Sequence, residues 1–186
     1  LGNLSDAVAQ IVQKHCSLGV QPEHYDIVGT CLLQAISTVL GAAATDDVID
    51  AWGKAYAQLA AILIAAEETV YAATEHGKGG WRGERAFRLV KRIDEGSIIT
   101  SFYLEPADGE SVPDFEAGQA ITVVMEINGE SMRRNYSLSD APGTGYLRIS
   151  VKREPHGTVS NFLHDTLAVG DAVRLLPPSG KFVLRR

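Results

Sequence analysis

A change of hydrophobic period at one glycine cluster divides this chain of 186 residues. Before His76-Gly77-Lys78-Gly79-Gly80 the apolar residues recur at the spacing of amphipathic helices, and after it they alternate with polar residues as in strands. A cluster so rich in glycine cannot sustain a helix. The sequence therefore predicts an α + β chain of two domains, residues 1–76 and 82–186, joined by a linker at 77–81.

The two predicted domains differ in charge. Residues 1–76 carry two lysines and nine acidic residues, net −7, whereas residues 77–186 carry fifteen basic and fourteen acidic residues, net +1. The whole chain has a net charge of −6, and its 45% of apolar residues suffices for packed cores. Because no basic surface is expected, neither nucleic acid nor an anionic membrane is expected as a partner.

Membrane insertion and secretion are not expected either. No apolar run approaches the roughly 20 residues that a spanning helix needs, and residues 1–5 lack the charged start of a signal peptide. Cys16 and Cys31 have no metal-type spacing and are expected to be inert core thiols. We therefore expect a cytoplasmic protein. The missing initiating Met and the strand-like run at 182–186 indicate a piece of a longer polypeptide.

Three helices are predicted before the glycine cluster. The first ends near Gly19, the second runs from Pro22 to Gly41, and the third begins at Asp46 or Asp47 and continues to about residue 75. Their inward stripes are predicted as Leu4, Val8, Ile11 and His15; Tyr25, Val28, Leu32, Ile36 and Val39; and Trp52, Tyr56, Leu59, Leu63, Glu67 and Val70.

An inward His15, with Tyr25 and Glu67 on the inner faces of the next two helices, allows two interpretations. In one, a ring nitrogen of His15 binds iron while Glu67 accepts a hydrogen bond from the other nitrogen, with Tyr25 bridging, which makes the imidazole more electron-rich. In the other, which is the more frequent case, His15 is a core histidine with satisfied hydrogen bonds and Glu67 extends its carboxylate to solvent. Spacing alone does not decide between them.

Six strands and one late helix are predicted after the glycine cluster. Asn128-Gly129 is typical of a two-residue hairpin turn. A closed antiparallel β-barrel would leave no strand edge exposed. The predicted strands are 87–93, 98–106, 118–126, 133–138, 146–153 and 172–176, and the predicted helix is 160–167.

Two segments of this predicted barrel carry the chemistry of a flavin site. Arg134-Asn135-Tyr136-Ser137 resembles the motif with which ferredoxin-reductase-type barrels hold FAD. In such a site the Tyr ring covers the isoalloxazine, the Ser holds its N5 edge and the Arg neutralises the diphosphate. Gly157-Thr158-Val159-Ser160 would add backbone N–H groups, a hydroxyl and the positive end of a helix dipole.

Four segments together resemble a flavohaemoglobin, and the resemblance covers the whole chain as the last three globin helices followed by the FAD domain. It implies that His15 is the proximal haem ligand, that Tyr25 and Glu67 form hydrogen bonds around it, and that Lys14 lies between haem and flavin. One departure is Ala120, where the family often has an aromatic residue packed on the cofactor. The segments are 14–29, 51–56, 79–81 and 134–137.

The activity that this resemblance implies is nitric oxide dioxygenation in a monomeric full-length protein. NAD(P)H would reduce FAD, FAD would pass single electrons to haem b, and nitric oxide and O2 would yield nitrate. The earlier globin helices and the nicotinamide-binding domain of the family are expected to lie outside this chain, so we expect it to retain haem poorly and to bind FAD weakly. Two alternatives are a ferredoxin-reductase-like electron-transfer flavoprotein and a haem oxygen carrier or sensor.

Overall fold

The computed structural model describes residues 2–180, 182 and 183, with side chains from residue 6 onward. It divides into two compact units, residues 1–70 and 71–186. The elements lie within a few residues of their predicted bounds. The helices are α1 (Gly2–Leu18), α2 (Pro22–Leu40), α3 (Asp46–Glu75) and α4 (Thr158–Asp165), with a short 3-10 helix (Gly41–Ala43); the strands are β1 (Arg85–Asp94), β2 (Ile99–Pro106), β3 (Ala120–Ile127), β4 (Glu130–Ser137), β5 (Leu147–Lys152) and β6 (Ala172–Ser179).

The first unit is helical, and its helix ends follow from local chemistry. Gly19, at φ 71°, closes α1 with a Schellman motif, because Val20 N–H donates to the His15 carbonyl at 3.0 Å and Gly19 N–H donates to Cys16 at 3.1 Å. Pro22 occupies the first turn of α2, where its missing N–H costs nothing. Gln21 and His24 complete a capping box there.

The predicted inward stripes of these helices are only partly correct. Among the described side chains of α1 the buried residues are Val12, Cys16 and Ser17, while Ile11 is exposed. In α3 the buried positions include Leu63 and Glu67, but Trp52 is 50% exposed. The reason is that these helices are apolar on more than one side, and three helices can bury only one side of each. Further large apolar residues left exposed on α2 and α3 are Ile27, Val28, Leu32, Val39, Leu40, Leu59 and Ile62.

Two sequence expectations about this unit are wrong: that no apolar stretch is long enough to span a membrane, and that both cysteines are buried. Residues Pro22–Ala43 and Asp46–Glu75 are long and apolar enough, by length and composition alone, to cross a membrane, with mean hydropathies of 1.5 and 1.3. Ser, Thr and Gln residues and a few charges interrupt any strictly apolar run in these segments, so a count of consecutive apolar residues does not detect them. Cys16 is buried as expected, but Cys31 is an exposed free thiol, because no described part of the chain covers its side of α2.

The second unit is an antiparallel sheet in the order β4-β3-β6-β1-β2-β5. Asn128 and Gly129, at φ 55° and 81°, form the predicted two-residue turn, so Ile127 pairs with Glu130 and β3 aligns with β4 along its whole length. The hydrophobic core lies on the inner face of this curved sheet, with α4 packed against it. Its largest fully buried side chains are Phe87, Phe102, Leu89, Leu104, Ile121, Leu147, Ile149, Leu163, Leu175, Val123, Val124 and Val151.

The prediction of a closed barrel is wrong, because the sheet is open between β4 and β5. Within the described residues these end strands meet at one isolated antiparallel bridge, Leu138 with Ile149, beside which Ser139 N–H donates to the Arg148 carbonyl at 2.9 Å. The six residues of β5 pair with β2 instead. A closed ladder would need β5 to continue alongside β4, but the chain leaves β5 after Lys152 to form α4. The outer edge of β4 therefore remains unpaired over most of its length.

The predicted linker packs closely against the second unit. Gly80 N–H donates to the Gly77 carbonyl at 2.9 Å, and Asp114 N–H donates to Lys78 at 3.2 Å. The Arg85 guanidinium donates a hydrogen bond to the Gly79 carbonyl at 3.1 Å. It also donates to both carboxylate oxygens of Asp108, each at 2.8 Å. This hydrogen bonding from the guanidinium lowers the pKa of Asp108 to about 2. Glycine is needed at positions 79 and 80 because the backbone packs closely there. A freely moving linker would not require this.

Replacing Gly80 by alanine is expected to destabilise the second unit by about 1–3 kcal/mol, because an added Cβ would overlap the Thr74 carbonyl oxygen. Thermal or urea unfolding measures the effect. Gly96→Ala is the matched control: it lies in a surface turn, a Cβ there meets nothing within 4 Å, and stability should change by less than about 1 kcal/mol. Equal stability of the two variants would contradict the packed linker.

Candidate functional site

The structure brings His15, Tyr25 and Glu67 together from three helices. His15 Nδ1 lies 2.7 Å from Glu67 Oε1 and 3.0 Å from the Tyr25 hydroxyl oxygen. The Tyr25 hydroxyl donates to the same Oε1 at 2.5 Å. Glu67 is 3% exposed and Tyr25 is 7% exposed, so one buried carboxylate oxygen accepts from two donors. This is the hydrogen-bonding arrangement that the iron-ligand interpretation requires.

Burial and the neighbouring carboxylate define the protonation states in this cluster. Burial, and then the hydrogen bond to Glu67, raise the pKa of Tyr25 well above its usual range. Tyr25 therefore stays protonated and remains a donor at neutral pH. Because the acceptor next to His15 Nδ1 is a carboxylate, the imidazole carries its proton on Nδ1. Its other nitrogen, Nε2, then presents a lone pair.

These residues fit a haem iron. His15 is 31% exposed at its side chain, and within the described residues Nε2 has no hydrogen-bond partner, so it is free to ligate. Val28 and Leu32 lie three and seven residues after Tyr25 on α2, and both leave apolar surface exposed of the kind that a porphyrin needs. No group of three or more metal-ligating side chains occurs in the described part of the chain. A haem iron needs none, because the porphyrin supplies four ligands.

The second candidate site lies at the end of β4. Tyr136 is half-buried and packs its ring against the core of the sheet, which raises the pKa of its phenol, while the charge of Arg134 acts in the opposite direction. The Arg134 side chain is exposed, and its one hydrogen bond in the described structure is donated to the Arg133 carbonyl at 2.8 Å. A cation beside a half-buried phenol at an open strand edge can take an anionic ligand with an aromatic part.

The remaining motif residues have different surroundings. Asn135 is exposed, but its amide oxygen is occupied, because it accepts a hydrogen bond at 2.7 Å from the buried Thr122 hydroxyl on β3. Ser137 is exposed and pairs with Ala120 in the β3–β4 register. The aromatic residue that the resemblance leads one to expect at position 120 would thus have been the direct neighbour of Ser137. Lys14 is exposed on α1, one residue before His15.

The predicted phosphate segment forms the start of α4. Its N-cap residue Gly157 makes no side-chain hydrogen bond to the first turn, so the backbone N–H groups there are not capped. The Ser160 hydroxyl is occupied, since it donates to the Gly157 carbonyl and accepts from Glu154 N–H, both at 3.2 Å. Val159 is a core residue. The backbone of this segment, rather than the Ser160 hydroxyl, is therefore the available anion ligand.

Strand register brings this helix start toward the β4 motif. The antiparallel bridge between Leu138 and Ile149 means that β5, followed toward its end, runs back along β4. In this direction Val151 comes level with Tyr136, and α4 begins shortly after β5 ends. The register therefore makes the cationic residue, the aromatic ring and the uncapped helix start candidates for one shared site at the open seam. They fit the diphosphate and the ring system of FAD.

Sequence reasoning missed one contributor to the His15 cluster. The sequence predicts Tyr56 on an inward stripe but does not predict its contact: the Tyr56 hydroxyl donates to the Tyr25 carbonyl at 2.7 Å. Gly29, one turn after Tyr25, makes room for the Tyr56 ring, because a Cβ there would lie 2.6 Å from Cε1 of Tyr56. A glycine within an otherwise apolar helix was the available signal for this close approach.

Comparisons with known proteins match both parts of the chain. A Globin family model matches residues 1–63, and the model "Oxidoreductase FAD-binding domain" matches residues 87–184. The flavohemoprotein of Pseudomonas aeruginosa is 57% identical over 186 residues, which is all of this chain and 47% of the relative. The chain thus spans about half the length of the curated relatives that it matches.

Solved structures give the same result. The crystal structure of flavohemoglobin from Malassezia yamatoensis, with bound FAD and heme, matches 96% of this chain and 45% of its own with a TM-score of 0.81 and 31% identity. The flavohem-like FAD/NAD-binding domain of nitric oxide dioxygenase from Vibrio cholerae matches 55% of this chain and 46% of its own, with a TM-score of 0.52 and 40% identity.

A globin segment followed by a flavin-binding sheet defines the class of proteins that combine a haem domain with an FAD-binding domain. With relatives this similar along its full length, the chain belongs to the flavohaemoglobin family and contains a globin segment followed by an FAD-binding domain.

Proposed function

We propose that the full-length protein is an NAD(P)H-dependent nitric oxide dioxygenase that converts nitric oxide and O2 to nitrate. The observation that carries the proposal is the shared carboxylate oxygen of Glu67, which accepts from both His15 Nδ1 and the Tyr25 hydroxyl. A neutral histidine with a carbonyl acceptor would suffice for oxygen storage. A histidine held by a buried carboxylate donates more electron density to its metal, which favours redox chemistry on bound oxygen.

Each residue has a defined task in this scheme. Glu67 keeps the proton of His15 on Nδ1 and thereby keeps Nε2 available to the iron. Tyr25 donates to Glu67 and limits its movement. In the second unit, Arg134 and the start of α4 hold the diphosphate, and Tyr136 orients the flavin ring. When bound, FAD supplies the step from hydride transfer to single electrons, and haem supplies oxygen and electron chemistry.

The proposal is tested by nitric oxide consumption in the full-length protein supplied with NADH or NADPH and O2. We expect one nitrate for each nitric oxide consumed, with both haem and flavin absorbance present. Nicotinamide oxidation that does not respond to nitric oxide would overturn the proposal in favour of a simple electron-transfer flavoprotein.

A substitution of His15 separates the two halves of the activity. His15→Ala is expected to remove the haem Soret band and nitric oxide consumption, while reduction of ferricyanide by NADH, which needs only the flavin half, continues. His24→Ala, a change at an exposed histidine of α2, should retain both activities. Normal nitric oxide consumption by the His15 variant would exclude it as the haem ligand.

A further inference from the structure

The last turn of α4 is hydrogen-bonded to the sheet through one histidine. His164 Nε2 lies 2.9 Å from the Val151 carbonyl oxygen and donates to it, because a carbonyl can only accept. The other ring nitrogen, Nδ1, lies 3.3 Å from the hydroxyl oxygen of Thr100, a buried residue. Val151 of β5 and Thr100 of β2 are direct partners in the β2–β5 register. Both ring nitrogens of His164 therefore contact one paired position of the sheet.

A cation from β1 supports the same end of the helix. Arg92 donates to the His164 carbonyl at 3.2 Å and to the Leu167 carbonyl at 3.1 Å. The last carbonyls of a helix have no partner within it, and a positive charge there is favourable to the helix dipole. The His164 ring meets the Phe102 ring edge-on at 5.9 Å between centroids, and the Arg92 guanidinium lies 5.6 Å from the same centroid. Because Phe102 is fully buried, both contacts are made to the packed core.

The first turn of α4 is held in a different way. In the described structure its side-chain hydrogen bonds are local: the Ser160 hydroxyl accepts from Glu154 N–H at 3.2 Å, and the Asn161 amide donates to the Glu154 carbonyl at 3.1 Å. Val159 and Leu163 pack into the core, but apolar contact is not directional and does not fix a helix along its axis. The helix is only about 12 Å long, so a shift of its last turn would also move its first turn.

We propose that His164 is a positioning residue for FAD, which holds α4 so that the uncapped N–H groups of its first turn meet the diphosphate. This rests on the proposed function, in which the start of α4 holds the diphosphate. Of the two ring contacts, the Nε2 bond is the principal one. It is the shorter, and the Thr100 hydroxyl donates to Asp94 at 2.7 Å and so has no proton left for Nδ1.

The test compares FAD with riboflavin, which has the same ring but no phosphate. The full-length apoprotein is titrated with each flavin, and quenching of flavin fluorescence gives the two dissociation constants. His164→Ala is expected to weaken FAD binding about tenfold and to change riboflavin binding by less than about twofold. A histidine that only stabilised the domain would affect both flavins equally.

Two further substitutions of His164 separate its ring nitrogens. The side-chain amide nitrogen of Gln can take the place of Nε2, so His164→Gln should bind FAD within about threefold of wild type. The amide of Asn reaches only to the position of Nδ1, so His164→Asn should resemble His164→Ala. Equal FAD affinity of the Gln and Ala variants would contradict the role of the Nε2 bond.

Asp165→Asn is the matched control. Asp165 lies in the same turn and forms an exposed ion pair with Arg153. Since such pairs contribute little, FAD binding should stay within about twofold of wild type. The proposal would be overturned if His164→Ala weakened FAD and riboflavin binding equally, or if Asp165→Asn lost as much FAD affinity as His164→Ala. Wild-type protein that bound riboflavin as tightly as FAD would instead overturn the diphosphate contact of the proposed function, and this inference with it.

Discussion

Glu67→Gln is expected to lower nitric oxide turnover by about 10- to 100-fold while haem stays bound, the usual range for losing the hydrogen-bonding partner of a metal ligand. The amide oxygen of Gln can still accept from Tyr25, so the geometry survives and chiefly the negative charge is lost. Because Glu67 is 3% exposed, solvent screens this charge little, and its removal should reach the iron. Stopped-flow turnover and the iron–histidine stretching frequency measure the effect.

The control variants for this prediction change residues that neighbour Glu67 in the sequence or in space. Glu68→Gln removes the same charge at an exposed position of α3 and should leave both measurements near wild type. Tyr25→Phe should have a smaller effect than Glu67→Gln, because it removes one donor and leaves the carboxylate. Since the two side chains share a hydrogen bond, the double variant should fall short of the sum of the single effects. Unchanged turnover in Glu67→Gln would show that the carboxylate has no part in catalysis.

Arg134→Ala is expected to weaken FAD binding by about 10- to 100-fold, the value of one charged hydrogen-bonding contact to a diphosphate. The guanidinium is exposed, so added salt should weaken FAD binding in the wild type more steeply than in the variant. Titration of apoprotein with FAD, followed by quenching of flavin fluorescence, measures both effects.

Arg133→Ala is the natural comparison for this second prediction. Arg133 directly precedes Arg134 on β4, but its guanidinium forms an ion pair with Glu84 at 3.0 Å. Neighbouring side chains of a strand point to opposite faces, so this variant should cost some stability of the sheet and little FAD affinity. If the two variants bound FAD equally well, the motif would not hold the diphosphate through Arg134.

The local structure of the chain could be predicted well because each element end carries its own signal. Pro22 begins α2 and Gly19 terminates α1. Asn128-Gly129 forms a two-residue hairpin turn, which fixes the register between β3 and β4. The joint placement of His15, Tyr25 and Glu67 could also be anticipated, although spacing alone left a core histidine as the more frequent explanation. The observed sharing of Glu67 Oε1 gives the arrangement that the metal interpretation needs.

Contacts between distant segments could not be predicted in the same way. The buried face of α1 is one residue away from the predicted one, since Val12 rather than Ile11 is buried, and an apolar pattern on two sides does not show which side meets a neighbour. The contact of Tyr56 with Tyr25 depends on how two helices slide past each other. The opening between β4 and β5 depends on sheet curvature, which alternation of residues does not encode.

The gap between β4 and β5 has a consequence for cofactor exchange, because a closed barrel would have to open before a bound ring could leave. Because the paired ladders lie elsewhere in the sheet, a planar ring could enter or leave beside Tyr136 without breaking any strand-to-strand hydrogen bond. The yellow chromophore would then be lost without melting of the domain. Material that has lost its colour during purification could be restored simply by adding the cofactor back, with no refolding step.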